Sequence, residues 1–218
     1  VECFAEKARE QAKEADVVVA NHALLAVATF GGVPVLPEHD AVVLDEAHEF
    51  VSSATEALTH ELTAPAVRRA AAAAKQYVAP SLHERLEDAH AVLEGAVLGL
   101  EPGWLPVVPA HLVDALGVVQ QVCGTAAVDV GRAEEGDGEV EQAARERAKQ
   151  SLAEAAEAAG ELRAPHELSA VYVTQDRALR VSPLHVGGAL QSGLFGEATV
   201  VATSATLTLG GSFQHAAR

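Results

Sequence analysis

The stretch AVVLDEAHEF, residues 41–50, runs Val42, Val43 and Leu44 directly into Asp45-Glu46-Ala47-His48. A short continuous apolar run fits a strand buried on both faces, as in a parallel sheet covered by helices. Two more runs have the same shape. Val17–Val19 leads to Asn21-His22, and ATVVATSATLT carries Val200 and Val201 into Thr203-Ser204-Ala205-Thr206. In open α/β sheets ligands sit beyond the carboxyl ends of the strands. If the three runs are parallel neighbours, their polar tips face one crevice.

The segments between these runs read differently. Residues 4–15 are good helix formers of mixed charge. Residues 30–40, FGGVPVLPEHD, are loop-like. Between 52 and 163 come four helical stretches, at 67–79, 81–100, 110–130 and 140–162, punctuated at Pro80, Gly99–Gly103 and Gly136-Asp137-Gly138. Strand character returns in SAVYVTQDRALRVSPL, where Gln175-Asp176-Arg177 suggests a hairpin turn, and a short helix, GGALQSGLF, follows. The expected fold class is α/β: a parallel sheet interrupted by a mostly helical insertion, after which the sheet resumes.

At 218 residues and 49% hydrophobic content the chain has material for a real core. No apolar run approaches the roughly 18 residues that cross a bilayer, and no secretory signal is visible, so no membrane partner is expected. Two distant cysteines, Cys3 and Cys123, do not make a disulfide framework. A reducing, cytoplasmic setting is the default. The absence of methionine and the polar final residues lead to the expectation of an internal piece of a longer chain. A net charge of −16 argues against a broad nucleic-acid-binding face. Much of the acid falls in residues 134–161, which read as a solvated helix, as do Arg68-Arg69 and Lys75.

Paired carboxylates at a strand tip have a specific use. Successive residues leaving a strand point in different directions. The first carboxylate can hold a hydrated Mg²⁺ on a nucleotide, and the second can orient the water that attacks the terminal phosphate. The plainer alternative is that Asp45 and Glu46 simply begin a helix, where acids favour the positive end of the dipole. A zinc-protease reading fails: His48-Glu49 would need a histidine at Ser52, and Glu87 and Ala170 occupy the equivalent positions after His83-Glu84 and His166-Glu167.

These residues resemble a known family. VVLDEAHEF is similar to the DEAH box (motif II) of superfamily 2 helicases, and VVATSATLT resembles their motif III. CFAEKAREQAKEADVVVANHALL looks like the segment of DinG-type helicases, relatives of XPD, that closes the iron–sulfur domain and re-enters the first motor domain. LRVSPLHVGGALQSGLF resembles the stretch before motif III in the same family. The matches follow the family's order and cover residues 1–52 and 168–218. The helical block lies where the family inserts its Arch domain and carries no specific motif of its own.

The resemblance implies a partial RecA-like motor domain (parallel sheet) interrupted by an Arch-like insertion. It divides the chain into the end of an iron–sulfur domain (1–15), motor domain 1 with the DEAH box (16–52), the insertion (53–167) and motor domain 1 with motif III (168–218). It further implies an ATP-dependent DNA helicase moving 5′ to 3′ in repair or replication, acting on single-stranded or forked DNA as a monomer. Under it Asp45 assists Mg²⁺ through water and Glu46 is the catalytic base. His48, Ser204, Ala205 and Thr206 couple hydrolysis to motion, and Cys3 is one of four ligands of a 4Fe–4S cluster. Cys123 reads as a core residue and His22 as a strand-end residue. The chain departs from the family in carrying no Gly-Lys-Thr phosphate loop, three fewer cluster cysteines and no second motor domain, so the isolated chain is expected to be inactive. The competing reading is a non-catalytic acidic helical interaction module with a degenerate motor core.

Overall fold

The computed structural model describes residues 4–32, 34–132 and 138–205. In chain order the elements begin with α1 (Phe4–Lys13), α2 (His22–Phe30), β1 (Ala41–Leu44), α3 (Ala47–Ala57), β2 (His60–Leu62), α4 (Ala64–Ala74) and α5 (Pro80–Leu98). They continue with β3 (Gly103–Trp104), α6 (Ala110–Arg132), α7 (Glu139–Arg163), β4 (Ser169–Val173) and β5 (Leu179–Pro183). Last come α8 (Gly187–Leu190), which runs on as a π-helical turn over Gln191–Phe195, and β6 (Thr199–Ala202). The α/β class expected from the sequence is the one observed. No described helix is long and apolar enough to cross a membrane.

The chain divides into two compact units, residues 1–59 with 183–218, and residues 60–182. In the first, β1 and β6 pair in parallel with Ala41 opposite Thr199 and Leu44 opposite Ala202. Val42 and Leu44 join Leu25, Ala26, Phe50, Ala54, Val186 and Leu194 in its core. Asn21 caps α2, its side-chain oxygen accepting from the Leu24 amide at 2.8 Å, which satisfies one of the orphan donors of the first turn.

Two expectations need correction here. Val17–Val19 forms no described strand, with Val17 80% and Val19 94% exposed, because no neighbouring strand among the described residues supplies ladder bonds. The run into the DEAH box is not buried on both faces either. Val42 and Leu44 are covered, but Val43 is 69% and its partner Val201 52% exposed, since the described helices bury only the alternate side chains of this two-stranded sheet.

The second unit contains the helical block. Its four main helices, α4 to α7, overlie the four stretches read from the sequence. Leu82, Leu86, Ala89, Leu93 and Val97 recur at three- and four-residue spacing along α5, so one stripe is buried. Leu112, Leu116, Val119 and Cys123 do the same on α6, and Leu152, Ala155, Ala159 and Leu162 on α7. The small side chains let α6 and α7 approach closely. A Cβ at Gly160 would meet the Gln120 amide nitrogen at 2.7 Å, and the same Gln120 accepts from Arg163 at 3.3 Å.

The strands that flank the block, and the short β3 within it, do not join the parallel pair. They build a separate four-stranded sheet in the order β2-β5-β4-β3, with β2 antiparallel to β5 and β3 antiparallel to β4. Helix α3 runs unbroken across residues 52 and 53, and the crossing between units follows Thr59. The hairpin turn read at Gln175-Asp176-Arg177 is present. Thr174 and Ala178 bond across it, and the Thr174 hydroxyl, followed by the Asp176 amide, holds the Asp176 carboxyl below its usual range. Arg177 adopts a positive φ of 66°. From there its guanidinium donates to the carbonyls of Leu98 at 2.7 Å, Leu100 at 2.8 Å and Val97 at 3.3 Å, capping the acceptor-rich end of α5. Arg177→Ala is expected to lower the stability of this unit by about 1–2 kcal/mol, read from urea unfolding, because it strips charged donors from several carbonyls. An unchanged midpoint would mean that water caps the helix equally well.

Candidate functional site

The site begins where β1 stops. Leu44 is the last ladder residue, and its carbonyl accepts from the Thr203 amide at 2.8 Å, extending the β1–β6 pairing one step past β6. The Thr203 carbonyl then accepts from the Ala47 amide at 2.9 Å. The two strand tips are thus joined by backbone bonds although they lie 158 residues apart.

Between Leu44 and α3 the chain has two residues in which to turn, and Glu46 does so with φ 47° and ψ 49°, the left-handed region. This conformation brings the side chain of an L-residue against its own backbone. It is held by its neighbours: the Asp45 carboxylate oxygen Oδ1 accepts from the Glu46 amide at 3.0 Å, and the Glu46 carbonyl accepts from the Glu49 amide at 2.9 Å. Non-glycine residues in such a conformation concentrate at functional sites.

The side chains of the two tips meet. The Thr203 hydroxyl donates to Asp45 Oδ1 at 2.9 Å. Ser204 Oγ lies 2.9 Å from His48 Nδ1 and donates to Glu46 Oε2 at 3.4 Å, and His48 Nδ1 is itself 3.4 Å from that oxygen. One proton arrangement satisfies the first two contacts: Nδ1–H donates to Oγ, and Oγ–H donates to the carboxylate. About half of each of the His48 and Glu46 side chains is exposed. The contacts therefore orient more than they stabilise.

Asn21 and His22 form part of the wall of the same cleft, about 770 Å³, with Asp45, Glu46, His48 and Ser52. The His22 ring packs edge-on against Phe50, centroids 5.6 Å apart. The first tip, though not on a strand, thus shares a cleft with the second, to which Thr203 and Ser204 of the third are hydrogen-bonded. Thr203 was part of the strand tip in the sequence but carried no assigned role, and Glu49 and Ser52 had none; only the fold places them here. Ala205 is exposed in the turn after Ser204. Thr206 and Cys3 lie outside the described residues. Cys123 is a core residue, as expected. Burial pushes its thiol up to about 12.

Asp45 is the residue here that could contribute an oxygen to a magnesium ion carried on a nucleotide. Among the described residues no three His, Cys, Asp or Glu side chains are grouped to hold an ion. Magnesium on a nucleotide keeps several waters and takes one or two carboxylates besides the phosphates. Both hydrogen bonds to Asp45 fall on Oδ1, which leaves Oδ2 for such a ligand among the described residues.

Fold and cleft together define an α/β core with carboxylates at joined strand tips, its chain interrupted in sequence by a helical unit at residues 60–182. The chain is 34% identical over 227 aligned residues to the ATP-dependent helicase DinG of Mycobacterium tuberculosis, covering 97% of this chain and 33% of that protein. The DinG helicase of Mycobacterium bovis matches to the same extent. The ATP-dependent DNA helicase YoaA of Escherichia coli is 41% identical over 59 residues, 25% of this chain and 9% of that one. An XPD helicase structure superposes with a TM-score of 0.45 at 13% identity, over 85% of this chain and 31% of that one. No family model matches. The chain spans a third of the length of the DinG relatives. The resemblance read from the motifs stands: this chain is related to the DinG-type helicases, through the helical block as well as the strand tips.

Two outcomes are expected from this geometry. Glu46→Gly should be more stable than Glu46→Ala by about 1 kcal/mol in thermal unfolding, because glycine takes the left-handed conformation without a Cβ clash. Equal stabilities would mean that the turn relaxes when the carboxylate is gone. In a Cys3→Ser background, Cys123 should resist a thiol reagent at pH 8 until the protein is unfolded. Rapid native-state labelling would contradict its burial.

Proposed function

We propose that this chain is part of the motor of an ATP-dependent DNA helicase of the DinG type: a section of its first RecA-like domain with the Arch-like insertion. The observation that carries the reading is the joining of the two strand tips, with Asp45 and Glu46 on one and Thr203 and Ser204 on the other. The names of the DinG relatives support the same activity.

In this reading Asp45 would be the residue that holds Mg²⁺, which would offset the charge of the nucleotide phosphates. Glu46 orients the attacking water and accepts its proton. The left-handed backbone turns Glu46 away from the course of the strand and toward the cleft that Asp45 also lines. His48 and Ser204, in contact with Glu46, carry the state of that carboxylate to motif III, which Ala205 and Thr206 complete. Cys3 supplies one of four ligands to a 4Fe–4S cluster in the whole protein.

The DNA is single-stranded or forked and the motor moves 5′ to 3′, as a monomer, in cytoplasmic repair or replication. The basic contacts to DNA come mostly from other parts of the protein, given the −16 charge of this chain. The proposed segments are 1–15, 16–52, 53–167 and 168–218. The 218-residue chain alone, without a Gly-Lys-Thr loop, hydrolyses no ATP.

The test is Glu46→Gln in the full-length protein. It should lower DNA-stimulated ATP hydrolysis by on the order of 10²–10⁴-fold, the usual worth of a general base, while nucleotide binding is retained. Hydrolysis at the wild-type rate would overturn the assignment and favour an interaction module.

A further inference from the structure

We infer that Thr203, the residue before the Ser204-Ala205-Thr206 motif, is the positioning residue that orients Asp45 toward a nucleotide-bound cation. The inference rests on the reading of Asp45 as the magnesium carboxylate. It adds a residue to which the motif resemblance assigned nothing.

Three bonds single out Thr203. Its amide donates to the Leu44 carbonyl at 2.8 Å and its carbonyl accepts from Ala47 at 2.9 Å, so its backbone holds both sides of the turn that bears Asp45 and Glu46. Its hydroxyl donates to Asp45 Oδ1 at 2.9 Å. The division of labour follows from which atoms are used. The backbone pair shapes the turn whatever the side chain, and only the hydroxyl acts on the carboxylate.

A carboxylate's last torsion is broad and twofold, so an aspartate at an exposed strand tip is free to exchange its two oxygens. The Thr203 hydroxyl and the Glu46 amide both fall on Oδ1. With Oδ1 engaged twice, rotation breaks two bonds, and Oδ2 is the oxygen left for the ligand. A threonine suits this task because branching at Cβ restricts χ1 and so fixes the hydroxyl against the turn. Partners that orient a metal-binding carboxylate change metal affinity by about 10- to 100-fold when removed.

The measurement is Mn²⁺ binding to the full-length protein with a non-hydrolysable ATP analogue, read by electron paramagnetic resonance of free Mn²⁺. Thr203→Val keeps the shape and both backbone bonds and removes only the hydroxyl. It should weaken Mn²⁺ binding in the nucleotide complex on the order of tenfold, with metal-free nucleotide affinity unchanged. Thr203→Ser, which keeps the hydroxyl, should stay near wild type. If Thr203→Val fails to fold, Thr203→Ala carries the same expectation. Wild-type Mn²⁺ affinity in the folded variant that lacks the hydroxyl would overturn the inference and leave the motor reading intact. Equal losses in Thr203→Val and Thr203→Ser would also overturn it, because the effect would then not follow the hydroxyl, which serine keeps. A wild-type protein that binds neither nucleotide nor Mn²⁺ would overturn the motor reading and the inference with it.

Discussion

The parallel pairing of β1 with β6 is the constraint on which the site depends. Four residues on each side set the register, and one further bond, from the Thr203 amide to the Leu44 carbonyl, carries it past the end of β6. A slip of one residue would turn Val42 and Leu44 out of the core and bring Val43 in. It would also part Thr203 from Asp45. The alternation of buried and exposed side chains along β1 therefore does two things at once: it seals the small core around Phe50 and Leu25, and it places the carboxylates.

A chain that must bring residues 44 and 203 together faces a long closure. The helical unit shortens it in effect, because β2 and β5 pair with His60 opposite Val181. The chain thus leaves for the unit and returns from it at neighbouring positions. The entropy of closing a loop grows slowly with its length, and a folded insertion has already lost most of that freedom. Within the unit the work is done by leucine and alanine stripes on α5, α6 and α7. Arg177 ties the β4–β5 hairpin to the end of α5 through carbonyls that no helical amide can reach.

At the tips themselves, little stability is at stake and much geometry. Glu46, His48 and Thr203 are exposed, and contacts among exposed polar groups contribute little to folding. What they do is choose directions: a left-handed turn for Glu46, one engaged oxygen for Asp45, and a hydroxyl bridge from Ser204 to Glu46 in the facing turn and His48 at the start of α3. An arrangement that spends left-handed backbone on orientation is characteristic of a site and not of packing.

Helical stretches set off by Pro80, Gly99–Gly103 and Gly136-Asp137-Gly138 marked α4 to α7, because proline and glycine break a helix through their own local backbone chemistry. The carboxylates of DEAH and the hydroxyls of Thr203 and Ser204 were visible as polar tips, since polar residues directly after an apolar run are local chemistry. The Val17–Val19 run misled for a physical reason: β-branched residues favour a strand, but a strand exists only where a neighbour accepts and donates its bonds. The β4–β5 hairpin was legible as a hairpin, yet which sheet it joins was not, because pairing partners such as His60 and Val181 are a property of the folded chain. By itself, then, the sequence determined the four helices of the block, the β4–β5 hairpin and the chemical character of the strand tips, all consequences of near neighbours along the chain. Only the tertiary structure decided that Glu46 turns left-handed, that Asn21 and His22 share the cleft, and that Thr203 bonds to Asp45. Each of these depends on groups brought together across a long interval by hydrogen bonds whose partners no local pattern records.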